Sequence, residues 1–286
     1  MARAQSGLLQ TAQPESTLQI YSMVDMAMNA MSVSQFSVII PGLASDLLKR
    51  WPNEKLYCTL GFGRMFWLLV WHTGFPRGFY DLEDLEMEGR HFPVTEGDLM
   101  IFLSASRSEL LDAMDQEIKK NLKGMVIPEI EIRSSISEKN RETTQEPDEI
   151  SQEIFIGKDE PDFTQGSFIW VQKFIEKGSS RECLTHLYQE KIMEMENPGQ
   201  FRVRTLPFEN SHERGAVVLT HFRHSDSLED LMMKFLEEGS GKDGQGLDSF
   251  SAVSGTSFFV PSVDVLTGLR MGGIRMNRFS TTRQFE

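Results

Sequence analysis

The second half of the chain carries most of the side chains whose types and spacing suit chemistry. In FRVRTLPF, residues 201–208, Arg202 and Arg204 stand two apart, so in a strand they share a face where a guanidinium can stabilise negative charge. The same spacing also suits a pair of surface arginines. Asp159, in IFIGKDEP, is either a proton-transfer group carried on a loop or a solvated turn carboxylate. His221 ends the apolar run GAVVLTHF, where alternation groups it with Val217 and Leu219; there it is either a metal ligand or a hydrogen-bonded structural histidine. Of the other histidines, His212 lies in the polar turn ENSHERG, His224 near a helix start and His186 on a helix, while His72 and His91 belong to the first half. Met193 and Met195 offer weak axial sulfur, although methionine at this spacing is the usual filler of cores.

Other chemistries find no support. The sequence has no G-x-x-x-x-G-K-[ST], no H-E-x-x-H and no G-x-S-x-G, and GFGR at Gly61 to Arg64 reads as a strand-to-strand turn. Cys58 and Cys183 are far apart and outside any C-x-x-C, which argues against a disulfide scaffold or a structural zinc site. A net charge of −13 argues against nucleic acid or an anionic membrane surface as the main partner. With 40% hydrophobic and 25% charged residues, no long apolar run and no signal-type N-terminus, the expectation is a soluble, cytoplasmic protein.

The elements that must position these residues follow from hydrophobic period. In the first half, strands are predicted at Leu18 to Val24, Leu56 to Phe62, Met65 to His72, Gly97 to Ser104 and Val126 to Arg133. Helices carry Phe36, Ile39, Ile40, Leu43 and Leu47, with Pro41 as a kink or late start, and then Leu110, Leu111, Met114 and Ile118. The second half repeats the plan. It has strands at Gly166 to Phe174, Phe201 to Leu206, Gly215 to Phe222 and Thr256 to Val260, with helices around Leu184 to Met195 and Leu228 to Phe235. Superposing Gly97–Met114 on Gly215–Met232 without gaps matches Gly97/Gly215, Leu110/Leu228, Asp112/Asp230 and Met114/Met232, which indicates an internal duplication.

Each half reads β-α-β-β-α-β, so the expected class is α+β: a duplicated ferredoxin-like fold, its antiparallel sheets packed together with helices outside, leaving a crevice for a flat ligand. The expected organisation is an N-terminal half over 1–133, a polar linker over 134–152 and a C-terminal half over 153–286 bearing the pocket.

LDSFSAVSGTSFFVPS at Leu247 to Ser262, GSFIWVQKF at Gly166 to Phe174, Leu187-Tyr188-Gln189-Glu190 and the AQSGLL opening at Ala4 to Leu9 together resemble the dye-decolourising peroxidases. The resemblance implies the same duplicated fold, heme b as cofactor, and hydrogen peroxide with a small organic reductant as substrates. The family's site joins a G-x-x-D-G motif, a proximal His on iron and a distal Arg. Aligned on Phe155 and Pro161, the Asp position falls on Gly157; aligned on Leu206-Pro207, the Arg position falls on Val203; the segment Lys191 to Phe201 that should hold the His has none. The resemblance therefore leaves Arg204 and Asp159 as candidate catalytic groups, His221 as a relocated iron ligand, and Phe258 and Phe259 as cofactor-lining residues. Impaired turnover is expected. A pseudoperoxidase serving as a ligand-binding or oligomeric interaction module is the alternative, and homo-oligomerisation through sheet faces or edges is expected in either case.

Overall fold

The computed structural model describes residues 4–5, 13–24, 40, 42–64, 76, 86–87, 90–91, 97–135, 152–160, 163–177, 181–238 and 250–270. The strands are β1 (Glu15–Met23), β2 (Leu56–Phe62), β3 (Glu86–Met87), β4 (Arg90–His91), β5 (Leu99–Ala105), β6 (Val126–Ser135), β7 (Ser167–Glu176), β8 (Arg202–Glu209), β9 (Arg214–Phe222) and β10 (Phe250–Val260). The helices are α1 (described over 42–50), α2 (Ser108–Leu122), α3 (Arg181–Met193), α4 (Ser225–Glu238) and α5 (Val263–Arg270). The strand expected at Met65 to His72, the residues Phe36, Ile39 and Pro41, and the linker core at 136–151 lie outside the described residues. The short β3–β4 ribbon and α5 were not anticipated from the sequence.

Eight strands form one antiparallel sheet in the order β6-β1-β5-β2-β10-β7-β9-β8. Each half contributes four strands in the same relative order, fourth-first-third-second, which is the ferredoxin-like arrangement given twice. The halves join between β2 and β10 through a single register pair, Phe62 with Phe259. At this junction the side chain of Gln5 takes the place of a missing strand. Its Nε2 donates to the carbonyls of Leu60 (2.9 Å) and Pro261 (3.0 Å), and its Oε1 accepts from the Leu60 N–H (2.8 Å). At the other end β6 comes alongside β8, so the sheet wraps around an inner core.

Alternation along each strand divides the side chains between two faces. The inner face holds Leu18, Ile20, Met100, Phe102 and Ile132 from the first half, packed on Ile169, Val171, Leu206, Val217, Leu219 and Phe258 from the second. The other face is covered by helices. Leu99, Ile101 and Leu103 meet Leu110, Leu111 and Met114 of α2; Trp170, Phe174 and Val218 belong to the same core as Leu184 and Tyr188 of α3 and Leu228 and Leu231 of α4. Fully burying one such side chain contributes about 1.5–3 kcal/mol. This stripe fixes α2 more than its ends do, since Arg107 at the N-cap makes no side-chain cap.

The duplication is real in topology, but its residue correspondence differs by one from the gapless superposition. Leu99, Ile101 and Leu103 face helices, whereas their expected matches Val217 and Leu219 face the inner core. Pairing Ser108 with Ser225, the first residues of α2 and α4, restores the faces by matching Leu99, Ile101 and Leu103 to Ala216, Val218 and Thr220. A one-residue slip flips a strand but is nearly invisible in these helices, where Leu110 and Leu111, and Leu231 and Met232, are buried as adjacent pairs.

Candidate functional site

The covered face of the second half is built in rows across β10, β7, β9 and β8. The register sets Phe259 beside Phe168 and Phe168 beside Phe222, with Phe201 buried at the start of β8. Phe168 stacks on Phe222 with centroids 5.8 Å apart. The next row is Ser257, Trp170, Thr220 and Val203, and the one after is Gly255, Gln172, Val218 and Thr205. From α3, Tyr188 Oη donates to Gln172 Oε1 at 2.6 Å. Burial pushes the Tyr188 phenol far above its ordinary range, so it remains a donor. An aromatic floor thus carries a stripe of neutral polar groups under α3 and α4.

The loop before β7 closes one end of this face. The Ile156 N–H donates to the Gly166 carbonyl (2.8 Å) and the Gln165 N–H to the Ile156 carbonyl (2.9 Å). The closure seats Phe163 edge-on against Phe259 at 5.7 Å. A methyl on Gly157 would stand 2.5 Å from Asp159 Oδ1 and 2.8 Å from Arg223 Nη2. The ion pair Arg223–Asp159, 2.7 Å long, therefore fills the space that a side chain at position 157 would enter. Asp159 is held below the usual carboxylate range by its own backbone N–H and by Arg223.

The candidate residues separate into three places. Arg204 and His221 come together on the inner face: Arg202 pairs directly with His221, and Arg204 with Leu219 next along. The Arg204 guanidinium lies over the Phe102 ring, 5.2 Å from its centroid, and so links the second half to the first. His221 is buried, its Nδ1 has no hydrogen-bond partner, and burial with Arg204 and Arg202 nearby holds it well below the ordinary histidine value. Asp159 stands apart at the exposed loop. Phe258 and Phe259 point to opposite faces; Phe258 packs over Gly61 and Gly97 in the inner core, and only Phe259 reaches the covered face. His186 and His212 are exposed, and His224 lies just before α4. Met193 is 73% exposed, while Met195 packs against the helix-side core.

Sequence reasoning missed Trp170, Thr205, Thr220 and Arg223. The signal was present for three of them: in GSFIWVQKF and GAVVLTHF the period-two pattern already puts Trp170 and Thr220 on the face opposite Val171 and Leu219, where Val203 and Thr205 also lie.

Residues 13–134 match the family model for the N-terminal region of Dyp-type peroxidases. A dye-decolorizing peroxidase of Mycolicibacterium paratuberculosis is 23% identical over 266 residues, covering 79% of this chain and 75% of that protein. One from Rhodococcus erythropolis is equally similar, with 78% of its length covered. The chain is thus similar to the dye-decolourising peroxidases in sequence. Among solved structures, a dye-decolorizing peroxidase from Bacteroides thetaiotaomicron superposes with a TM-score of 0.80 at 19% identity, covering 94% of this chain and 99% of that one. A Rhodococcus jostii DypB variant in complex with heme superposes at 0.77 with 22% identity, covering 93% and 98%. The match to the family model falls on the first half, whereas the segments that carry the sequence resemblance lie mostly in the second, so the two likenesses are independent of each other.

The two positions that depart from the dye-decolourising peroxidase pattern share one face. Val203, aligned with the family's Arg, is half-buried on the covered face, and Gly157, aligned with the Asp, lies in the loop that closes it. The neighbouring Arg202 and Arg204 are turned to the inner face by alternation. The aromatic floor and the neutral polar stripe suit a flat conjugated ring. The donor set for iron does not: His221, the buried described histidine, is on the other side of the sheet.

Proposed function

We propose that the protein is a dye-decolourising-peroxidase-like, haem-binding oxidoreductase whose use of hydrogen peroxide is impaired, with the flat ligand held between the second-half sheet and α3 and α4. Haem, if bound there, would supply the redox chemistry toward peroxide and a small organic reductant. The chain's own contribution is binding and the exclusion of water. Phe168, Phe222 and Phe259 supply an apolar wall, and the loop from Ile156 to Gly166 shuts one end. The observation that carries the reading is Val203: the position aligned with the charge-stabilising Arg holds a side chain with no charge and no hydrogen-bond donor, on the face where it would act. Arg204 packs against Phe102 and Asp159 pairs with Arg223, so both have structural duties away from that position.

Titrating purified protein with hemin and then assaying peroxide-dependent dye oxidation tests this. Soret development with slow turnover that Arg204→Ala leaves within about twofold supports it. Protein that stays colourless, or robust turnover abolished by Arg204→Ala, overturns it. The second reading, a pseudoperoxidase acting as a ligand-binding or interaction module, is favoured by the joint loss at Gly157 and Val203; it predicts binding with no turnover above free hemin. With either reading we place the protein in the cytoplasm as a homo-oligomer, checked by fractionation and light scattering. Among the described residues no helix is long and apolar enough to cross a membrane.

A further inference from the structure

Three polar atoms on the covered face, Trp170 Nε1, Thr205 Oγ1 and Thr220 Oγ1, are buried and make no hydrogen bond. They are neighbours: Trp170 sits opposite Thr220, Thr220 sits opposite Val203, and Thr205 is the next residue along β8 on that face. Buried polar groups are ordinarily paired, because an unmet donor or acceptor has lost its water without replacement. In the next row of the same face the Tyr188 hydroxyl donates to Gln172 Oε1, so the three unmet atoms form a patch beside a bonded pair. The indole N–H is a donor only, and both hydroxyls can donate, so the partner that completes the patch is an acceptor. Neither row crossing the patch contains a charged residue, and Arg202 and Arg204 face away, so nothing there compensates a carboxylate. The aromatic row of Phe259, Phe168 and Phe222 borders it and favours a planar conjugated body.

We propose that the covered face binds a planar conjugated ligand through ring carbonyl oxygens, received by Trp170, Thr205 and Thr220, with no bond to a metal. An open-chain tetrapyrrole with lactam carbonyls is the class that combines these acceptors with the size of a haem. The inference rests on the reading that this face keeps the family's ligand site, and it changes what that site selects.

The test titrates the full chain with biliverdin, hemin and metal-free protoporphyrin IX, following ligand absorbance and tryptophan fluorescence. Biliverdin binds most tightly, and hemin and protoporphyrin IX bind within about threefold of each other. The double variant Thr205→Val/Thr220→Val weakens biliverdin about tenfold, the loss of one to two net hydrogen bonds, and leaves protoporphyrin IX unchanged. Its thermal midpoint rises, because two unpaired hydroxyls leave an apolar interior. A higher midpoint with unchanged biliverdin affinity would mean the hydroxyls are structural defects only, and would overturn the proposal. Protoporphyrin IX binding as tightly as biliverdin overturns it too. Hemin binding far more tightly than protoporphyrin IX, with the spectrum of ligated iron, overturns this proposal while leaving the haem-binding reading intact. Failure of all three ligands to bind removes both.

Discussion

His221 shows how much a single buried group can report. The folded chain holds its imidazole well below the ordinary value of 6.5 through burial and the charges of Arg204 and Arg202, so the native state keeps it neutral. Below about pH 6.5 the unfolded chain takes up a proton that the folded one refuses. Stability is therefore present above that pH and is lost as pH falls toward the depressed folded value. The urea midpoint should drop between about pH 7 and pH 5, and His221→Gln should flatten the dependence; an equally steep loss in the variant would assign it to other groups. At the opposite face, Val203→Arg with Gly157→Asp introduces the two side chains that the resemblance aligns with these positions. The new carboxylate enters the space of the Asp159–Arg223 pair, whose flexible ends can move aside. Peroxide turnover of hemin-loaded protein should rise about tenfold or more over wild type in a dye-oxidation assay. Val203 and Gly157 stood out in the sequence only through the resemblance to the dye-decolourising peroxidases, whereas the Arg223–Asp159 contact joins residues too distant in sequence for any local pattern to connect.

The junction between β2 and β10 is the weak point among the elements. Among the described residues one strand pair and the Gln5 side chain bridge it, so Gln5→Ala removes the partners of the Leu60 N–H and of two carbonyls and should cost about 2–3 kcal/mol in urea unfolding. Within the second half, a methyl on Gly215 would collide with the Phe174 carbonyl, where β9 runs closely against β7. Gly215→Ala should destabilise by about 3 kcal/mol, read as a fall in thermal midpoint. The expected strands at β1, β2, β5, β6, β7, β8 and β9 appear near their expected places because alternation and flanking glycines are local signals. The bonds of Gln5 were not legible, since they are made by a side chain at the far end of the chain from Pro261.

For the whole molecule, the duplicated plan explains why the candidate residues part company. A sheet that wraps on itself has an inner face shared by both halves and an outer face under helices, and neighbouring residues in any strand go to different ones. Arg204 and Val203, Phe258 and Phe259, and His221 and Thr220 are separated in this way. The sequence shows the two-residue period but not which face carries the ligand, because that depends on where β2 meets β10 and β6 meets β8. The central claim is that the ligand face is the covered one and that the inner-face imidazole takes no part in it. Hemin titration of wild type and His221→Gln, followed at the Soret band, tests this most directly. The same band position with affinities within about twofold is the result expected here; loss or displacement of the band in the variant would put the haem on the inner face, bound through His221.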